Sequence, residues 1–132
     1  MPMLGVMAGP RSKAAVRGTV LVVEDDADVR SSVCDQLRDD GFEVHAAEDG
    51  EQAWKLLVRG QKPDLIVLDL KLPVMSGWEL LTRLRASVTL LDVPVVVVSA
   101  YLGFPPAGAL AWLKKPMRSA ELTAVVERLI RH

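Results

Sequence analysis

Cysteine is nearly missing from this chain. Cys34 stands alone among 132 residues, so no internal disulfide can form. A reducing, cytoplasmic setting is the expectation, with Cys34 a small helix residue free of redox chemistry. An excess of charge of one sign is missing too. Sixteen basic residues face seventeen acidic ones, which leaves no basic field for nucleic acid and no polybasic patch for a membrane surface. No apolar run approaches the length of a membrane span. Residues 1–18 carry Arg11, Lys13 and Arg17 among glycines and prolines. They lack the apolar core of a signal peptide and read as a flexible lead-in. The two histidines, His45 and His132, have no second His or Cys at ligand spacing, so zinc is not expected. There is no internal repeat, no low-complexity tract and no sign of a second domain beside the one at 19–132.

Short, continuously apolar runs are present instead. Thr19 to Val23, Phe42 to Ala47, Leu65 to Leu68, Val93 to Val98 and Ala109 to Leu113 read as five strands, most of them buried on both faces. Helical periodicity separates them. Val29, Val33 and Leu37 recur on one face after an Asp26 or Asp28 cap, and Gly41 ends that helix. Ala53, Leu56 and Leu57 point inward in a second helix, from Asp49-Gly50 to about Gly60. Ser76 caps a third, with Leu80, Leu81 and Leu84 inward. Ser119 caps a last one, with Leu122, Val125, Val126 and Leu129 on one face. Trp54 and Trp78 read as packing residues. This alternation predicts an α/β fold, a doubly wound parallel sheet with helices on both faces.

The polar residues fall at the strand ends. Glu24 and Asp25 follow the first run, Asp69 the third, Ser99 the fourth and Lys115 the fifth. In a parallel sheet these ends share one rim, where open α/β folds hold their ligands. Clustered carboxylates repel, and a hard cation such as Mg²⁺ relieves that while leaving room for a phosphoryl oxygen. A carboxylate can itself attack phosphorus and become an aspartyl phosphate. Lys115 can neutralise a phosphoryl oxygen as a point charge, and Ser99 can donate a hydrogen bond to another. Taken singly, Asp69 or Ser99 would be an ordinary turn residue, and Asp26 is better read as a cap than as a ligand.

The set together resembles the receiver domains of two-component response regulators, over about residues 19–131. The matching stretches are Val-Leu-Val-Val-Glu24-Asp25-Asp26, Asp-Leu-Ile-Val-Leu-Asp69-x-x-x-Pro73-x-x-x-Gly77, Ser99-Ala100 and Lys115-Pro116. The resemblance implies the flavodoxin-like strand order 2-1-3-4-5, an order for which a receiver protein is itself a standard example. It makes Asp69 the phosphoacceptor, Asp25 a direct ligand of Mg²⁺ (or Mn²⁺), Glu24 a ligand through water, and the Lys71 backbone carbonyl the remaining protein ligand. Ser99 becomes the switch hydroxyl, Lys115 the site lysine and Trp112 the switch aromatic. The implied donor is a phosphohistidine on a histidine kinase or histidine phosphotransfer protein. The implied output is a change in partner binding, with an unassigned downstream protein, no direct nucleic-acid contact, no membrane contact and room for a homodimer.

One departure matters. Ser99 and Lys115 are closer in sequence than the family's pattern has them. Tyr101 to Gly108 holds two prolines and two glycines in eight residues, which opposes a helix. The fourth helix is expected to be absent or one turn long, and this puts the family's usual output and dimer surface in doubt. Leu102 and Phe104 read as cover for the shortened edge. Lys71 and Tyr101 beside the site are expected to affect water access. Three other readings compete. A phosphorylation-independent pseudo-receiver would bind partners without the chemistry. An aspartyl-phosphate phosphatase would want a second acid where Lys71 stands. A dinucleotide-binding domain would want glycines where Glu24-Asp25-Asp26 stands, and that acidic turn would repel a pyrophosphate. The chain reads as a stand-alone receiver or as one belonging to a longer regulator or hybrid kinase.

Overall fold

The computed structural model describes residues 16–130 except 102, 104 and 105. The described residues form five strands and four helices, in the order β1 Thr19–Val23, α1 Ala27–Asp39, β2 Glu43–Ala47, α2 Gly50–Val58, β3 Leu65–Leu68, α3 Gly77–Arg85, β4 Val95–Ser99, β5 Ala111–Lys114 and α4 Ser119–Ile130. All pairings are parallel, in the order β2-β1-β3-β4-β5, which is the expected 2-1-3-4-5.

Period-2 alternation assigns the two faces. Leu21, Val23, Ile66, Leu68, Val95 and Val97 pack with Ala53 and Leu57 of α2 and Leu80, Leu81 and Leu84 of α3. Val20, Val22, Leu65, Val67, Val96 and Val98 pack with Val33, Cys34 and Leu37 of α1 and Leu122, Val125, Val126 and Ile130 of α4. The central strands are therefore apolar on both sides, and a charge is tolerated only where a strand stops.

Helix starts follow local chemistry. Asp26 Oδ1 accepts from the amides of Asp28 and Val29, Asp49 accepts from Gln52, and Ser76 Oγ accepts from Glu79. Asp26 is thus occupied as a cap, as its position suggested. Ser119 is not a cap, contrary to expectation. It is the first residue of α4, and Arg118 precedes it with its backbone N–H on Glu121 Oε1 at 2.9 Å. That is half of a capping box, in which the acid three residues into the helix satisfies the first orphan donor. β5 begins at Ala111 rather than Ala109, since the Leu110 amide only starts the ladder by bonding to Val95 O.

Between β4 and β5 the described residues contain no helix, as the prolines and glycines predicted. Leu102 and Phe104 lie outside the described residues. Tyr101, Ala109 and Trp112 pack on the α2–α3 side of the core, with Tyr101 edge-on to Trp78 at a centroid distance of 5.0 Å. Arg85, the last residue of α3, bonds to the carbonyls of Leu91, Val93 and Gly108, the last at 2.6 Å from Nη2.

Most of the 1–18 lead-in falls outside the described residues. Of its end, Arg17 bonds to Gly41 O through its amide and to Asp40 O and Glu127 through its guanidinium.

The turn after β3 contains two tight features. Val74 has φ 67° and the Met75 amide bonds to Pro73 O at 2.7 Å, a γ-turn with a β-branched residue in the left-handed region. At Gly77 the α3 start lies so close to the chain after β3 that a Cβ would collide with the Asp69 carbonyl oxygen and sit 2.7 Å from Leu70 Cα. Only glycine fits there.

Candidate functional site

Each strand end continues its ladder by one residue, which carries the polar groups just past the apolar core. The Glu24 amide bonds to Ala47 O, that of Asp69 to Val23 O, and that of Lys115 to Ser99 O. Glu24 and Asp69 are thereby buried, 5% and 7% exposed, while Asp25, the next residue along, is exposed. One carboxylate oxygen from each of Glu24, Asp25 and Asp69 lies within 4.8 Å of the others.

Lys115 enters this cluster from β5. Its ammonium lies 2.6 Å from Glu24 Oε1 and 3.1 Å from Asp69 Oδ2. Burial alone would push the lysine pKa down. The two acids outweigh it, and the group sits above its ordinary value of 10.5. Glu24 is likewise raised above 4.5, because burial disfavours its charge more than Lys115 and the Asp26 N–H favour it, and Asp69 adds repulsion. Glu24 Oε2 accepts that Asp26 N–H at 3.2 Å. The Lys115–Pro116 peptide is cis.

The remaining expected residues lie around this cluster. Ser99 is buried, and its Oγ accepts from the Tyr101 amide at 3.2 Å. That bond uses a lone pair of the hydroxyl and not its proton. The Lys71 amide donates to Asp69 Oδ1 at 3.3 Å, so the turn after Asp69 folds back on the carboxylate. Trp112 lies within β5, opposite Val97. It is half-buried, its indole N–H has no hydrogen-bond partner among the described residues, and Lys114 Nζ lies 5.3 Å from its ring centre. Glu24, Asp25, Asp69 and Lys115 thus meet directly, Ser99 and Lys71 flank them, and Trp112 stands apart in the strand.

One contact was not foreseen from the sequence. Arg30, in the first turns of α1, sends Nη1 back to Glu24 O at 2.9 Å and Asp25 O at 3.4 Å. Its only signal in the sequence is a long cation five residues after Asp25, on a helix whose side chains lean toward its N-terminus.

The donor set suits a hard divalent cation. It offers only oxygens and three carboxylates, two of them buried beside a single lysine, so their charge is incompletely balanced. Among the described residues no helix is long and apolar enough to cross a membrane.

Comparison with known proteins agrees with this arrangement. The family model described as the response regulator receiver domain matches residues 20–127. Transcriptional regulatory protein PrrA of Mycobacterium tuberculosis is 44% identical over 118 residues, covering 85% of this chain and 49% of its own length. Phosphate regulon transcriptional regulatory protein PhoB of Pseudomonas aeruginosa is 34% identical over 119 residues, covering 86% and 52%. The chain spans about half the length of these curated relatives. Among solved structures, the receiver domain of sensor histidine kinase PA1611 from Pseudomonas aeruginosa PAO1, with a magnesium ion coordinated in its active site cleft, aligns with a TM-score of 0.80. It is 30% identical and covers 87% of this chain and 98% of that one. With the family model matched over most of its length and the strand order in agreement, the chain belongs to the response regulator receiver domains of two-component signalling.

Proposed function

We propose that Asp69 accepts a phosphoryl group from a phosphohistidine on a histidine kinase or histidine phosphotransfer protein, and that the modified domain changes its partner binding. The observation that carries this is the meeting of Asp69 with Lys115 at 3.1 Å inside a three-carboxylate cluster at the strand ends. Receiver domains are signalling proteins rather than converters of metabolites, and the family binds Mg²⁺ at an acidic pocket.

In the proposed step, an oxygen of the Asp69 carboxylate attacks phosphorus. The P–N bond to the histidine breaks as the P–O bond forms, and the imidazole leaves with the electron pair and takes up a proton. Hydrolysis later returns the carboxylate and inorganic phosphate. Glu24, Asp25, Asp69 and the Lys71 carbonyl would hold Mg²⁺ (or Mn²⁺), with Glu24 acting through water. The bound ion would supply positive charge to the phosphoryl oxygens. Lys115 supplies a second cation, and its present bond to Asp69 Oδ2 marks where a phosphoryl oxygen would need it. Ser99 keeps its proton available for another phosphoryl oxygen. Its movement toward that oxygen would draw on the Tyr101 amide, and Trp112, whose N–H has no partner among the described residues, would follow inward.

The test is incubation with a small phosphoryl donor and MgCl₂, read by intact mass, for the unaltered protein and for Asp69→Asn. A phosphoryl mass increment in the first and none in the second is the expected result. No increment in the unaltered protein, with metal shown to bind, would overturn the phosphoacceptor reading and leave the pseudo-receiver. The described residues between β4 and β5 form no helix, which bears on that second reading because it alters the surface that would relay the signal, while the carboxylates and Lys115 still meet.

A further inference from the structure

Arg30 is surrounded by acids in sequence, with Asp25, Asp26 and Asp28 all within five residues. Among the described residues it nevertheless forms no ion pair. Its guanidinium reaches past the start of α1 to two carbonyls, Glu24 O at 2.9 Å and Asp25 O at 3.4 Å. Those two carbonyls belong to the peptide planes on either side of Asp25 Cα. Fixing both planes fixes φ and ψ at Asp25, and with them the direction in which its carboxylate leaves the chain. The rest of the turn is held elsewhere: Glu24 by Ala47 O and Lys115, and Asp26 by its cap bonds to α1. Asp25 is exposed, and among the described residues its side chain has no hydrogen-bond or ion-pair partner.

We infer that Arg30 is a positioning residue for the metal site, aiming the Asp25 carboxylate at the cation by clamping the peptide planes that flank it. The inference rests on the proposed Mg²⁺ site. The sign of the effect separates positioning from simple charge. A nearby guanidinium repels a dication, so removing it would tighten binding if charge were its only action. Removing a clamp would loosen binding, because an unfixed Asp25 must be ordered when the ion arrives.

The experiment is calorimetric titration of the full chain with MgCl₂, for the unaltered protein, Asp25→Ala, Arg30→Met and Arg30→Lys, with thermal unfolding of each without metal. Arg30→Met should bind about tenfold more weakly, the scale on which partners that orient metal ligands act. Its metal-free unfolding temperature should stay close to that of the unaltered protein. Arg30→Lys, which keeps the charge and one donor, should fall between the two. Binding in Arg30→Met or Arg30→Lys that equals or exceeds the unaltered protein's would overturn the assignment while leaving the metal site standing. If Arg30→Met does not fold, Arg30→Lys decides by the same rule. An unaltered protein that binds no Mg²⁺, or binds it as Asp25→Ala does, would overturn the metal site itself and this inference with it.

Discussion

The ammonium of Lys115 lies 2.6 Å from the Glu24 carboxylate, closer than the 3.1 Å to Asp69. Without metal, then, the lysine is the cation that lets two buried acids coexist. Lys115→Met leaves both without it. Removing one partner of a buried pair costs about 3–5 kcal/mol, and water at the open rim reduces this to about 1–3 kcal/mol here. MgCl₂ should restore much of the loss, since the added cation serves the same acids. Unfolding curves with and without the ion measure both effects, and an unchanged metal-free midpoint would contradict this role of the lysine. The pH sign is fixed as well. Lys115 is raised above 10.5 in the folded state, so its contribution is full below that pH and is lost as pH rises through the higher folded value.

Glu24 shifts in the same direction, and its effect on stability has the same sign with pH, at the acid end of the range. Burial, more than any other cause, raises it above 4.5. The folded carboxyl therefore binds its proton more tightly than the unfolded one. Between 4.5 and the folded value, the metal-free protein becomes more stable as pH falls. Protonation there also removes a ligand. Mg²⁺ affinity should begin to weaken on acidification before pH 4.5 is reached. In Glu24→Gln the affinity should be lower throughout and this early onset lost. Titrations from about pH 8 down to about pH 5 span the range, and an identical acid profile in the variant would count against Glu24.

Arg85 should matter more than a half-exposed arginine usually does. It bonds to Leu91 O, Val93 O and Gly108 O, tying the end of α3 to the entry of β4 and to the segment between β4 and β5. Arg85→Leu leaves those carbonyls without their donor and should cost about 1–3 kcal/mol. Arg85→Lys, with no planar fork, should recover less than half. Chemical denaturation reads both. Full recovery by lysine would mean that charge, not the fork, holds the segment.

What was legible in the sequence follows from how local each signal is. Leu65 to Leu68 between Asp64 and Asp69 marks a buried strand and its polar end within six residues, and β3 occupies that run. Pro105, Pro106, Gly103 and Gly108 argue against a helix by their own backbone limits, and the described residues there form none. Glu24, Asp25, Asp69 and Lys115 could be placed together because a parallel sheet puts all its strand ends on one rim. The reach of long side chains was not legible. Arg30 turning back to two carbonyls, Arg85 spanning to Gly108 and Glu121 capping Arg118 depend on what lies beside each residue after folding. The left-handed Val74 was hidden for another reason: valine disfavours that conformation, so its sequence signal points the wrong way.

Val74 offers a gain in stability. Its φ of 67° costs a β-branched residue about 1–2 kcal/mol, and it is 77% exposed, so little packing is lost on replacement. Val74→Asn should stabilise the domain by about 0.5–1 kcal/mol, since asparagine tolerates this region. Val74→Gly should gain less, because glycine adds entropy to the unfolded chain. A midpoint that falls in Val74→Asn would mean that the valine makes contacts worth more than its strain.

Gly77 is the reverse case. A Cβ there meets the Asp69 carbonyl oxygen and Leu70 Cα, and the Gly77 amide bonds to Leu70 O at 2.9 Å. Both obstacles are backbone, so no side chain can rotate out of the way. Gly77→Ala must push α3 away from the chain that carries Asp69, at a cost of about 1–3 kcal/mol. The displacement falls on the proposed phosphoacceptor, so phosphorylation from a small donor should slow as stability falls. Gly60→Ala is the control. Gly60 has φ +90° but nothing within 4 Å of a built Cβ, so it carries backbone strain without a clash and lies away from the site. It should lose about 1 kcal/mol and phosphorylate at the unaltered rate. Equal slowing in both variants would trace the effect to lost stability in general. Slowing confined to Gly77→Ala would trace it to the position of Asp69.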